Sequence, residues 1–379
     1  MAKNAKKLYN SEMAVPSFNG MDGEHLLNVL HTYCVETGAS DIHVSPEKND
    51  IRLEIRIHGV LQSLPPLVRA TYEDLLRRVK FAAKLKLNIT TIPQDGQYTF
   101  TVTNRVVNVR VATLPSRFGE SITLRLLDPQ RGIIPLQQLG FPKEMQQQLQ
   151  QILDEPNGLL LVTGPTGSGK TTTLYALLST LVGTALNIIT LEDPVEYEIP
   201  HITQSEIDPE HGFTFASGLR SVLRHDPDVI LVGEIRDLET AQTAIDASLT
   251  GHLVLSTLHT NSALEAIPRL LSMGVSPYTF APALRGILAQ RLVRTVTEAC
   301  GKEGASCNPL DPATYGGQTV VPELVVATPA IREMILTQEP QSKIEEQVRK
   351  DGFMTMREYG EKLIKEHKTT KEEITRVAG

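Results

Sequence analysis

One stretch constrains this chain more than any other: Gly164, Pro165, Thr166, Gly167, Ser168, Gly169, Lys170 and Thr171, set between the apolar run 159–162 and a segment that begins Thr172, Thr173, Leu174. A strand, a glycine-rich turn and a helix in that order make a phosphate-binding loop. The glycines let the backbone curl so that successive N–H groups converge on phosphate oxygens, and the positive end of the following helix adds to them. Lys170 is placed to reach the outer phosphates and the Thr171 hydroxyl to hold Mg²⁺.

The 379 residues suffice for two or three domains, each with its own core. A net charge of −7 gives no electrostatic case for stable nucleic-acid binding. The first ten residues carry cations without an apolar core after them, which reads as neither a secretory signal nor an anchor. No apolar run approaches the roughly 20 residues that span a bilayer. The expected location is the cytoplasm. Cys34, Cys300 and Cys307 are too few for a disulfide framework, so they are expected to stay reduced, Cys34 as a core residue.

Residues 24–37 place Leu26, Leu27, Leu30, Tyr33 and Cys34 on one helical face, with Gly38 suited to end the helix. Residues 50–58 alternate apolar and polar, and Gly59 begins a turn, which reads as a hairpin. Helical spacing follows over 72–87, then strands over 98–102, 106–111 and 121–127, so the first part is α+β with an antiparallel sheet. Turn formers at 128–132 and 140–142 mark a linker. From Gly158 the style changes to short, continuous apolar strands at 159–163, 187–191, 229–232 and 253–256, alternating with helices. Strands buried on both faces imply a mainly parallel sheet covered by helices, an α/β core. The region from about Pro329 reads as helices.

Glu234 lies two residues beyond the apolar strand 229–232, at the strand end where such sheets place ligands, and is suited to the magnesium side beside Thr171. Glu192, Asp193 and Glu196 follow another such strand; a carboxylate there orients an attacking water, or forms a solvated acidic turn. Arg220 and Arg224 share one helical face and are candidates to neutralise charge on a γ-phosphate, although surface arginines are the commoner case. His252 and His259 flank a predicted strand; their spacing fits no common zinc pattern, and they read as ligand-sensing polar residues.

The phosphate loop, the acidic box 192–196, the segment Gly233, Glu234, Ile235, Arg236, Asp237 and the histidine box follow one another in an order that resembles the secretion ATPase superfamily. That superfamily comprises hexameric motors of type II secretion and type IV pilus assembly, with pilus-retraction ATPases as close relatives. The resemblance runs from about Leu26 to Arg376. It implies a tail over 1–20, a smaller PAS-like α+β domain over 21–130, a linker over 131–150, a RecA-like P-loop core over 151–300 and a mainly helical region over 301–379. By the same resemblance Glu196 is the catalytic carboxylate with Glu192 as second candidate, Glu234 the magnesium-side acid and His259 the γ-phosphate sensor. Arg110 and Arg125 match arginines that the family's N-terminal domain brings over the nucleotide, and Arg220 and Arg224 match those of its core. The implied cofactors are ATP and Mg²⁺. The implied partners are further copies of the chain in a hexamer and an inner-membrane platform protein, at the inner face of the cytoplasmic membrane.

Residues 93–97 and 115–120 resemble the assembly and secretion branches, whereas 328–335 is similar to a C-terminal motif of retraction motors. Many assembly and secretion ATPases hold zinc through two paired-cysteine motifs. Here Cys300 and Cys307 each match one cysteine of a pair, and two thiolates do not close a tetrahedral site, so no zinc is expected. The competing readings are a retraction motor, a nucleic-acid translocase or conjugation-type secretion ATPase, and a non-hydrolysing scaffold.

Overall fold

The computed structural model describes residues 15–16, 18, 20–102, 104–128, 133–302, 307–309 and 311–378. It divides into two units, residues 1–132 and 133–379. The tail over 1–14 and the turn formers at 129–132 lie outside the described residues.

In the first unit, α1 (Gly23–Thr37) starts on an Asp22 cap that accepts the His25 N–H and ends at Gly38, whose φ of 79° is the left-handed conformation glycine tolerates. The strands are β1 (Ala39–Pro46), β2 (Ile51–Ile57), β3 (Val60–Leu67), β4 (Gln94–Val102), β5 (Arg105–Ser116) and β6 (Gly119–Leu127), with α2 (Arg69–Ala82) between β3 and β4. They form one antiparallel sheet in the order β3-β2-β1-β6-β5-β4. Its core packs Leu26, Leu30 and Cys34 of α1 and Tyr72, Leu75 and Val79 of α2 onto Ile42, Leu53 and Leu124. Sequence periodicity passes over β1 because the buried Asp41 interrupts its apolar pattern. Arg125 at 2.9 Å and Arg56 at 3.7 Å answer that carboxylate.

The second unit begins with a 3-10 turn (Leu136–Gln138) and α3 (Lys143–Leu153). Leu149, Ile152 and Leu153 of α3 join the core, so the segment expected to be a linker is part of the folded unit. Next come β7 (Gly158–Thr163), α4 (Lys170–Leu181), β8 (Ile188–Glu192), β9 (Thr203–Glu206), α5 (Phe215–Val222), β10 (Val229–Val232), α6 (Leu238–Leu249) and β11 (Leu253–Leu258). Then follow α7 (Ala266–Ser272), α8 (Pro277–Ala283), β12 (Leu284–Val296) and β13 (Tyr315–Val326), and last α9 (Pro329–Leu336), α10 (Gln341–Lys350), α11 (Met356–Lys365) and α12 (Lys371–Ala378). The sheet order is β13-β12-β7-β11-β10-β8-β9, parallel throughout except for β13, which runs antiparallel to β12. Both faces are covered: Leu159 and Leu161 point into one core, Leu160 and Val162 into the other.

The sheet therefore extends past residue 300, into the region expected to be mainly helical. Gly316, Gly317 and Pro322 mask β13 in the sequence, but its stretch from Val320 to Val325 is continuously buried. Cys300 and Cys307, expected as reduced thiols, form a disulfide across a Cα–Cα distance of 5.8 Å; Cys34 is a buried free thiol, as its helical position implied.

Candidate active site

Parallel pairing brings the carboxyl ends of β7, β11, β10 and β8 to one edge of the sheet. Beyond those ends lie the phosphate loop, His259, Glu234 and the acidic box. Hydroxyls lock this edge. Thr163 donates to the Leu258 carbonyl (3.0 Å) and accepts the Thr260 N–H (2.9 Å), while Thr257 donates to the Gly233 carbonyl (2.7 Å). Gly233 N–H reaches the Leu191 carbonyl at 2.7 Å, so the segments carrying Glu234 and His259 are fixed to their neighbours.

In the loop itself, Gly164, Gly167 and Gly169 have φ of 143°, 79° and 85°. A Cβ on Gly164 would fall 2.5 Å from the Gln290 carbonyl oxygen, whereas one on Gly167 would meet nothing within 4 Å. The first glycine thus permits close packing and the second permits the backbone conformation. Lys170 Nζ donates to the carbonyls of Gly164 (2.8 Å) and Pro165 (3.2 Å). Burial lowers its pKa, and Glu234 opposes that shift. Ser168 Oγ is buried without a hydrogen-bond partner. Pro165, Thr166 and Thr171 are exposed and Thr172 is partly buried. A curled loop at a helix N-terminus, a partly desolvated ammonium, an orphaned hydroxyl and an exposed threonine fit the phosphates of a nucleotide and its Mg²⁺.

Glu234 is ion-paired with Arg236, and its other oxygen lies 3.7 Å from His259 Nε2. Burial lowers the His259 pKa, followed by Lys170; Glu234 opposes and Arg236 assists. The balance favours the neutral imidazole. The two acidic-box candidates differ. Glu192 is buried and satisfied: Tyr175 bonds one oxygen, while Thr190 Oγ1 (2.5 Å) and Gln204 Nε2 (3.1 Å) bond the other. Glu196 is partly exposed, and its N–H donates to Tyr175 Oη at 3.3 Å. Tyr175 of α4 thereby ties the acidic box to the phosphate-loop helix.

His252 does not join this cluster. Its carbonyl takes the Gly158 N–H (3.1 Å) at the opposite end of β7, and its Nδ1 lies 2.9 Å from the Ala247 carbonyl. The six residues of β11 separate the two histidines by roughly 20 Å. A strand bracketed by two histidines puts them at opposite ends of the sheet, so His252 stands apart from the residues gathered around the phosphate loop. Arg220 pairs with Glu239 at 2.7 Å, and Arg224 donates to the Arg220 carbonyl (2.8 Å) and Ser221 Oγ (3.3 Å); both are exposed. Arg110 and Arg125 face each other across β5 and β6 in the first unit, where Arg125 donates to Asp41.

Sequence reasoning missed Tyr175, Arg236 and Gln290 as site residues. Gln290 is fully buried on β12, donating to the Ser168 carbonyl (2.7 Å) and accepting from Thr173 Oγ1 (2.8 Å), so it grips both ends of the loop–helix junction. The signal available was an amide directly after the apolar residues 287–289, next to Arg291 and before Leu292 and Val293.

This arrangement defines an ATPase of the phosphate-loop class, on a parallel sheet flanked by helices. The chain belongs to the Type II/IV secretion system protein family, which matches residues 22–376. Type II secretion system protein HxcR of Pseudomonas aeruginosa is 42% identical over 358 residues, covering 93% of this chain and 76% of its own. Type II secretion system ATPase E of Vibrio cholerae is 39% identical over 375 residues, covering 93% and 74%. Among solved structures, the pilus retraction motor PilT with bound ADP superposes with a TM-score of 0.67 at 29% identity, over 93% of this chain and 96% of that one. The Legionella pneumophila ATPase DotB, at 22% identity and a TM-score of 0.74 over 95% and 97%, shows the same fold. The chain is a RecA-like secretion ATPase, an ATP-hydrolysing motor with an N-terminal domain and C-terminal helices.

Proposed function

We propose that the chain hydrolyses Mg²⁺·ATP within a ring, a hexamer, and so powers assembly of a type II secretion pseudopilus or type IV pilus through an inner-membrane platform protein. The observation that carries this reading is the charge cluster of Lys170, Glu234, His259 and Arg236 beside the glycine loop. The loop N–H groups and Lys170 hold the phosphates, Lys170 exchanging its bonds to the loop carbonyls for bonds to phosphate oxygens. Thr171 and Glu234 would hold Mg²⁺, which would supply positive charge against that of the phosphates. Glu196 orients the attacking water: it follows β8 at the carboxyl end of the sheet and is partly exposed, whereas Glu192 is buried. Neutral His259 senses the γ-phosphate as a hydrogen-bond partner.

Arg110 and Arg125 act on the nucleotide from the N-terminal unit, and Arg220 and Arg224 from the core surface, as cations made available within the ring. Making chemistry depend on arginines delivered by a mobile element couples hydrolysis to movement. The relatives named for type II secretion, near 40% identity, favour assembly over retraction. The protein works at the cytoplasmic face of the membrane, and nucleic acid neither binds stably nor stimulates it. Turnover measured alongside solution mass tests this: Mg²⁺-dependent hydrolysis by a ring-sized particle is expected. Full activity in a chelator would contradict the metal's role, and full activity as a monomer would contradict the ring.

A further inference from the structure

Glu323, on β13 and only 4% exposed, divides its carboxylate between two backbone donors far apart in the chain. One oxygen accepts the Ala263 N–H at 2.7 Å, and the other accepts the Met356 N–H at 3.1 Å. Ala263 lies in the loop that starts at His259, and Met356 is the first residue of α11. Arg291, on the paired strand β12, ties the same loop to a different helix, α12. Its guanidinium lies 3.4 Å from Asn261 Oδ1, in that loop, and donates to the Val377 carbonyl of α12 at 2.8 Å. Beside it, Gln290 grips the phosphate loop. A short stretch of one hairpin thus touches the phosphate loop, the His259 loop and two C-terminal helices. Burying a carboxylate is costly, and burial raises the carboxyl pKa of Glu323 while its two N–H bonds oppose the rise. An apolar side chain would fill this place without that cost, but it would join nothing.

We propose that Glu323, assisted by Arg291, is a positioning residue for ATP hydrolysis: it fixes the 259–263 loop to the start of α11, so that movement of the C-terminal helices reaches the γ-phosphate side of the site. The inference rests on the reading of His259 as a residue that faces the substrate phosphate. Glu323→Gln keeps the size but sets an amide N–H₂ against one of the two backbone N–H donors. Turnover then falls about tenfold to a hundredfold, the scale of a misplaced catalytic group, while the KM for ATP stays within about twofold. Amide exchange quickens at 260–265 and at the start of α11, and stays unchanged over β7.

In a His259→Ala background, Glu323→Gln costs no further turnover, because the group it positions is already absent. Wild-type kcat, wild-type exchange in the loop, or losses that multiply in the double variant would each overturn the proposal. If His259→Ala alone leaves turnover intact, the site reading fails, and loop exchange in Glu323→Gln still decides the tether. Should Glu323→Gln not fold, Arg291→Met carries the same expectation for exchange at 260–262, and protection equal to wild type there overturns the proposal.

Discussion

At the scale of single residues, the acidic box shows how neighbours decide between two similar carboxylates. Glu192 and Glu196 both follow a buried strand, and the sequence alone leaves either able to serve. Thr190, Tyr175 and Gln204, which arrive from β8, α4 and β9, satisfy Glu192 and give it a structural part, which supports the proposal of Glu196 as the catalytic one. Burial and the adjacent Glu192 carboxylate both raise the Tyr175 pKa, so its hydroxyl stays protonated as the donor. Tyr175→Phe removes that donor and is expected to lower stability by about 1–3 kcal/mol, read from urea unfolding. It should also slow turnover by loosening the acidic box. A variant as stable and as fast as wild type would deny Tyr175 this tethering role. The histidines teach the complementary lesson. Residue type and spacing singled out His252 and His259 together, but only a strand's direction separates them, and that direction belongs to the sheet.

At the scale of elements, helices with one apolar stripe and strands with clean apolar runs were legible: α1, β7, β10 and β11 lie where periodicity puts them. What escaped were elements whose pattern is broken by a residue that another element answers. In β1 that residue is Asp41, answered by Arg125 and Arg56; in β12 it is Gln290, answered by the phosphate loop. The C-terminal α12 is held by a similar long-range device. Glu373, fully buried, bonds Arg294 of β12 at 2.8 Å and Arg376 of its own helix at 2.6 Å, and Arg294 also stacks 3.8 Å over the Tyr315 ring.

Burial alone would raise the Glu373 carboxyl pKa, but the Arg376 and Arg294 bonds outweigh it and hold the pKa at about 2, against 4.5 ordinarily. Between those values the unfolded chain binds a proton that the folded one refuses. The contribution is therefore complete above about pH 4.5 and lost as pH falls toward 2. It amounts to roughly 3 kcal/mol. Glu373→Gln should flatten the acid limb of the stability profile relative to wild type. Parallel profiles for the two proteins would show that the ion pair adds no pH dependence.

At the scale of the whole molecule, the chain joins an antiparallel α+β unit to an α/β motor unit, and the change in strand style near Gly158 announced the second of these. The proposed arginines Arg110 and Arg125 belong to the first unit and the phosphate loop to the second, which is the division a motor needs if closure is to trigger chemistry. Among the described residues no helix is long and apolar enough to cross a membrane.

The proposed hydrolysis needs a carboxylate to prepare the attacking water, and Glu196 is the residue proposed for it. The direct measurement is ATP turnover and ATP binding by Glu196→Gln next to wild type. The expected result is binding of ordinary strength with hydrolysis reduced about a hundredfold or more, since the amide keeps the shape but cannot draw a proton from water. Undiminished turnover would contradict the assignment and transfer the role to Glu192.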